Sequence, residues 1–384
     1  MTYSQLIAEV TNQQQTLTAI IEQTERAAYF YIWPTEPFRS RFAVRGCWLR
    51  NLLPAPFQED REAIEQGIAP LLSADCCRTL EAEPPLDPAG LQIIWEPTDD
   101  GAAVWYQGQL LAVIPGWSLY QNKQVSFSAG CIRENRLTAP LGSASTNHYY
   151  AQALAHRQFW RDWHDGHLWQ PVQHDLLRAY EAHYGPSLKY YAIDQGQWPP
   201  MALSQHYHQG VWYFFTVGMC IRPMPWVDFL YEDLAPQYRR TELAMAIDAE
   251  VMTEDNAIQM ASALANYAHY PWSSLNWLGE GHTLPSSVAP VGFEGFLLSA
   301  ELGGEAGQPG LPRREGERVN LLWATPVTAA EQAFALAEEG GGLQLVTLLQ
   351  QEGASHIFRP RQQVVEQEAQ VAPLFANCDR DRLK

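Results

Sequence analysis

The stretch VWYFFTVGMCIRPMPWVDFLYEDLAPQYRRTELAMAI, Val211 to Ile247, decides how the chain folds. Trp212 to Cys220 is a β-branched and aromatic run, too short for a globular helix, and it closes at the turn residues Arg222-Pro223-Met224-Pro225. It reads as a buried strand. Two prolines one residue apart fix φ at both sites and push Arg222 and Met224 toward extended backbone, so the chain leaves the sheet through a stiff connector. That connector carries Met224, Trp226, Asp228, Phe229 and Tyr231. Tyr238 to Ile247 then alternates. Arg240, Glu242, Ala244 and Ala246 fall on one side and Thr241, Leu243, Met245 and Ile247 on the other, which predicts a strand with one apolar face.

Outward from this stretch the chain mixes helix and sheet. On the N-terminal side, Leu6, Val10, Leu17, Ile20, Ile21 and Ala28 follow helical spacings, so Tyr3 to Trp33 reads as a helix with Gln13 to Gln15 on its wet face. Phe42 to Leu53 reads as a strand and Gln58 to Leu72 as a second helix. Leu91 to Trp95, Ala103 to Tyr106 and Leu110 to Ile114 read as a meander with turns at Asp99-Asp100-Gly101 and Gln107-Gly108, both suited to positive φ. The Ala, Ser, Gly and Pro-rich run Thr138 to Thr146 is a domain boundary by composition. Beyond it, His148 to Tyr184 reads as mostly helical, Leu188 to Ile193 and Met201 to Tyr207 as strands, and Ile258 to Tyr270 as a helix ended by Pro271. Val319 to Trp323 is a further strand, Thr328-Ala-Ala-Glu331 a capping box, and Leu343 to Leu349 a short helix. The expected class is α/β or α+β, with two domains, each a mixed or antiparallel sheet packed with helices. The expected divisions are 1–145, 146–353 and a polar tail 354–384.

Composition narrows the function. A net charge of −18 over 384 residues disfavours nucleic acid and anionic membrane as partners, while a basic protein remains compatible. Apolar runs fall short of the ~20 residues a membrane span needs, and the N-terminal MTYSQLIAEV lacks the basic and apolar regions of a secretory signal. The expectation is a cytoplasmic chain. The six cysteines show no CxxC spacing and read as small buried hydrophobes in a reducing compartment.

His164, His167, His174, His206 and His208, with Asp162, Asp165 and Asp175 nearby, define the alternative reading, a metal-dependent hydrolase built on the His-rich segment 148–208. No HExxH or HxxEH pattern supports it. There is no GxSxG elbow, and the glycine runs at Gly303-Gly304 and Gly340 to Gly342 lack the residues that cradle phosphate. Arg240 and Glu242 share a strand face and read first as an ion pair ordering the sheet. The aromatic types of the opening stretch are those enriched at protein interfaces. The expected partner-binding residues are therefore Tyr213, Phe215, Met224, Trp226, Asp228, Tyr231, Arg239, Arg240 and Glu242, with no catalytic residue, metal or cofactor. Met224 and Trp226 are the two expected to stay out of the core.

From about Val172 to Glu352 the order of motifs resembles the suppressor of fused domain in its bacterial form. The residues that carry the resemblance are Leu177 to Gly185 (LRAYEAHYG), Tyr213 to Met219 (YFFTVGM), Pro223-Met224, Arg239 to Leu243 (RRTEL), Leu264-Ala265-Asn266-Tyr267, Gly281 to Pro285 (GHTLP), Pro326-Val327-Thr328 with Glu331, and Leu345 to Leu349. The resemblance implies a non-enzymatic, intracellular protein-binding module, regulatory or toxin-neutralising. The eukaryotic relative holds a transcription-factor segment as an added strand between two lobes, and bacterial relatives are often proposed to be immunity proteins. This chain departs from that pattern in having an extra domain in front, no counterpart of the C-terminal lobe after Glu352, and Arg222-Pro223-Met224-Pro225 at the turn near the peptide. Peptide specificity therefore does not carry over. His282 in GHTLP reads as a turn histidine bonded to backbone.

Overall fold

The computed structural model describes residues 4–116, 126–194 and 200–365 and has an α+β fold. The chain divides into two compact units that interleave in sequence. The first comprises residues 1–167, 223–232 and 272–276, and the second comprises 168–222, 233–271 and 277–384.

The first unit begins with an antiparallel sheet of β1 (Gln5–Thr11), β2 (Leu17–Gln23), β3 (Ala27–Pro34) and β4 (Arg45–Asn51), in that order. This corrects the helix expected over Tyr3 to Trp33. In β2 the buried residues are Leu17, Ala19 and Ile21, a period of two, and the glutamine run is the turn into it, where Gln15 takes a φ of 56°. Asn12 fixes that turn, because its Oδ1 accepts from the Thr16 and Leu17 amides at 2.8 and 3.2 Å. The second expected helix shrinks to α1 (Arg61–Glu65). A second sheet contains the expected meander β5 (Leu91–Trp95), β6 (Ala102–Tyr106) and β7 (Gln109–Ile114), followed by β8 (Phe127–Ser128) and β9 (Ala139–Pro140). Asp99, Gln107 and Gly108 adopt the positive φ that the turn chemistry called for. The helix α2 (His148–His164) starts at Asn147, whose side chain accepts from the Tyr149 amide.

The second unit opens with α3 (Trp169–Tyr184), which ends at Gly185 with φ 77°. Its sheet is built from β10 (Ser187–Ala192), β11 (Ala202–His208), β12 (Val211–Val217), β13 (Arg240–Asp248), β14 (Thr283–Pro285), β15 (Gly295–Ser299), β16 (Val319–Val327) and β17 (Ile357–Phe358). The spatial order is β10-β11-β12-β13-β16-β15-β14. The sheet forks at β13. β16 runs parallel to it from Arg240↔Val319 to Ala244↔Trp323, then turns away to pair with β15, and β17 takes the vacated place opposite Ala246 and Ile247. The short helix α4 (Val227–Tyr231) belongs to the first unit, while α5 (Glu254–Ser273), α6 (Ala329–Ala337) and α7 (Gly341–Gln351) follow. α5 continues two residues past the Pro271 expected to end it. The tail beyond Val365, Cys378 included, lies outside the described residues.

β13 corrects the expectation of one apolar face. Its first eight residues are all buried. On the Phe215 and Ala244 side lies α3, where Tyr180 stacks on Phe215 with centroids 4.3 Å apart and donates its hydroxyl to the Thr216 carbonyl. On the other side lies α5, where Glu254 accepts from Gln205 at 2.9 Å. A strand covered on both faces has no wet side for Arg240 and Glu242, so both charges are met inside the protein.

Candidate partner-binding surface

The structure divides the nine expected binding residues between the two units. Tyr213 and Phe215 are core, 7 % and 0 % exposed, in an aromatic cluster with Tyr180, Tyr184 and Trp323. Met224, Trp226, Asp228 and Tyr231 belong to the first unit. Met224 is 1 % exposed, which corrects the expectation that a residue between prolines stays out of the core. Proline restricts backbone angles but leaves the thioether side chain its full gain from burial. Trp226 is half-buried against the first unit's core, sits at φ 68°, and donates its indole N–H to the Leu275 carbonyl at 2.6 Å. A bulky residue held in the left-handed region marks backbone that its surroundings over-determine. Asp228 and Tyr231 are half-buried on α4.

Arg240 and Glu242 each have other partners in place of the expected mutual ion pair. Arg240 donates to the Cys220 and Ile221 carbonyls and to the carboxylates of Glu315 (2.7 Å) and Glu317 (2.5 Å), and Arg239 reaches Glu317 at 3.2 Å. These bonds fasten the loop before β16 to the end of β13. Glu242 accepts the Thr216 hydroxyl at 2.6 Å and the Gly218 and Cys220 amides at 3.1 and 2.9 Å. It therefore satisfies the backbone where β12 ends and Gly218 turns at φ 103°. Burial raises its pKa to about 7, and the Thr216, Cys220 and Gly218 bonds pull the other way.

His206 and His282 have structural roles. His206 is fully buried, with Nδ1 2.8 Å from the Gly185 carbonyl and Nε2 3.2 Å from the Ser204 hydroxyl. Burial holds its pKa below the usual imidazole value. His282 packs edge-on against Trp277, and burial lowers its pKa to about 4 against the opposing bond to Trp277 backbone. Among the described residues no group of three or more His, Cys, Asp or Glu side chains is placed to hold a metal ion.

Several residues of the resemblance motifs prove to be joints. In GHTLP, Gly281 sits at φ 80° against the glycines that open α7. A Cβ on Gly342 would fall 1.9 Å from the Gly281 carbonyl oxygen, so the backbones touch and neither residue can carry a side chain. Thr328 and Glu331 form the expected capping box at α6. Glu331 also accepts two bonds from Arg361, at 2.5 and 2.8 Å, and one from the Val364 amide at 2.9 Å. Burial works to raise its pKa, but these bonds outweigh it and leave the carboxyl below its usual value. It anchors the segment that follows β17.

Two features escaped the sequence reading. In the first unit, Arg45 is buried and donates to the carbonyls of Asp100, Pro115 and Gly116. Burial pushes Glu96 to about 8 and Asp100 to about 6 and lowers Arg45 to about 10. Among the described residues the second unit's sheet ends on β10, which pairs with β11 alone and leaves its other edge open. Leu188 and Tyr190 on this edge are 52 % and 41 % exposed. The register skips Leu188 as a bulge, and Lys189 reaches Glu254 at 2.7 Å. Bulges and lysines are the usual guards of an open edge against indiscriminate pairing. The strand itself matches the one expected over Leu188 to Ile193, yet its place at the edge depends on strand order alone.

Residues 190–362 match the family model for the Suppressor of fused protein (SUFU). This stretch is similar to the suppressor of fused domain. It covers a little under half of the chain, begins within β10 and ends just after β17, so it takes in the sheet of the second unit except Ser187 to Lys189. The suppressor of fused family consists of regulatory proteins that bind protein partners. A comparison with curated proteins gave no match. Among the described residues no helix is long and apolar enough to cross a membrane.

Proposed function

We propose that the chain is a non-enzymatic protein-binding module that occludes a protein partner through the open edge of β10. The carrying observation is that edge, an unpaired strand at the margin of the suppressor of fused domain with Leu188 and Tyr190 exposed on it. An extended partner segment added there gains main-chain hydrogen bonds, and the two side chains read alternate residues. The charge of −18 favours a basic partner, and a toxin neutralised inside the cell that makes both proteins fits this description. Tyr213, Phe215, Met224, Arg240 and Glu242 are buried and offer a partner no direct contact. Of the nine expected residues, Trp226, Asp228, Tyr231 and Arg239 keep enough exposure for direct contact.

The test is affinity capture with the purified chain and with the Leu188→Pro variant, which alters a residue outside the ladder register. The expected result is one protein retained by the parent chain and lost by the variant, with both melting at similar temperatures. A photo-crosslinker at Tyr190 should join that same protein. Equal capture by both chains, or no crosslink from Tyr190, rejects the edge. Capture of nothing by either rejects the module.

A further inference from the structure

Three of the described cysteines meet in the first unit. Cys76, Cys77 and Cys131 are 5 %, 2 % and 1 % exposed and share one cluster with Tyr29, Trp48, Leu71 and Leu72. Cys77 and Cys131 form an isolated antiparallel bridge between two otherwise irregular segments. The hydrogen bonds around the bridge fix its type. The Ile132 amide donates to the Cys76 carbonyl and the Arg78 amide donates to the Gly130 carbonyl, both at 2.8 Å. Both bonds flank the cysteines and neither joins them, so Cys77 and Cys131 are a non-hydrogen-bonded antiparallel pair. In such a pair the Cα atoms lie about 4.5 Å apart and the side chains lean over the same face. That spacing falls within the roughly 4.4–6.8 Å over which a disulfide closes without backbone movement. The thiols are free, and the Cys131 sulfur is turned toward the Arg133 carbonyl at 3.1 Å. Closure therefore needs side-chain rotation only. Cys76, next in the chain, shares the cluster but stands in the turn before the bridge and is not paired with Cys131 in it.

We propose that Cys77 and Cys131 are an oxidation site, a dithiol that closes to an intramolecular disulfide on exposure to hydrogen peroxide. One thiolate attacks the peroxide oxygen, the O–O bond breaks, and the sulfur becomes a sulfenic acid as the first water leaves. The second thiolate attacks that sulfur, the S–S bond forms, and the hydroxyl departs as the second water. Two electrons pass from the sulfurs to one peroxide, and two thiol protons end in water. The bond would tie the segment carrying Leu71 and Leu72, which covers Trp48, to the segment that continues into β9. Burial raises the pKa of both thiols, so the reaction is slow and follows local opening.

The test treats the folded full-length chain with hydrogen peroxide, alkylates the remaining thiols, and maps the peptides without reduction. The expected result is one linked pair containing Cys77 and Cys131, reversed by dithiothreitol, with a thermal midpoint higher by about 5–10 °C while the bond is present. The link should vanish in Cys77→Ala and in Cys131→Ala and persist in Cys76→Ala. A link through Cys76, a link between two chains, or Cys77 and Cys131 both still alkylated after peroxide treatment overturns the proposal. The parent chain alone decides among these outcomes, so a variant that fails to fold leaves the test intact.

Discussion

β10 and β13 belong to one sheet, and the difference between them separates a strand braced on every side from one left exposed. β13 lies inside the sheet with neighbours on both sides and helices over both faces, and it buries an arginine and a glutamate. β10 has one neighbour, exposed apolar side chains and a bulge. The interior strand carries Arg240 to Leu243 of the RRTEL motif, and all four are buried. The edge strand lies half ahead of the matched region and carries exposed side chains. Sequence prominence therefore follows structural constraint here, because buried charge tolerates few substitutions while a solvated edge tolerates many.

If the contrast is right, the largest effect comes from Glu242→Ala. It leaves the Thr216 hydroxyl and the Gly218 and Cys220 amides without their buried acceptor. A loss of about 3 kcal/mol or more is expected in urea unfolding, and a loss under about 1 kcal/mol would break the comparison. Phe215→Ala should cost about 3 kcal/mol as a cavity opens beside Tyr180 and Tyr184, read by the same measurement. Glu242→Gln sharpens the electrostatic side. The folded pKa of Glu242, about 7, lies above its ordinary 4.5. The stability this group contributes is therefore complete below about 4.5 and is lost as pH rises through 7. Glutamine stays neutral, so the variant should gain on the parent steadily from pH 4.5 to 7.5, and parallel profiles would show that Glu242 titrates normally. The smallest effect on stability is expected from Tyr190→Ala, within about 0.5 kcal/mol of the parent, together with weakened partner capture. A destabilisation as large as that of Phe215→Ala would make β10 part of the scaffold.

The second unit was far more legible than the first. β12 and β13 announced themselves through β-branched and aromatic runs, and the α6 cap through Thr328 and Glu331, because these signals are local. The first 33 residues misled because Leu17, Ile20, Ile21 and Ala28 satisfy helical spacing while the strand period of Leu17, Ala19 and Ile21 also lies within them. Only pairing with β3, and the turn fixed by Asn12, selects the second pattern. The polar clusters were illegible for a related reason. Arg45 finds its acceptors at Pro115 and Gly116, and Arg240 finds Glu317, across separations of about 70 residues that no periodicity encodes. Exposure of Leu188 and Tyr190 was equally hidden, since neither residue type nor spacing says which strand ends a sheet.

The interleaving of the two units sets a timetable for synthesis. Trp226 and Leu275 complete the core of a unit whose main body ends at residue 167. A growing chain reaches residue 276 roughly 5–20 s after residue 167 at ordinary elongation rates of about 5–20 residues per second. Through that interval the N-terminal sheets wait with two core positions unfilled while the next sheet is already being made. Folding one finished domain after another is closed to this protein, and its nascent form depends on whatever shields those sheets until the later segments arrive.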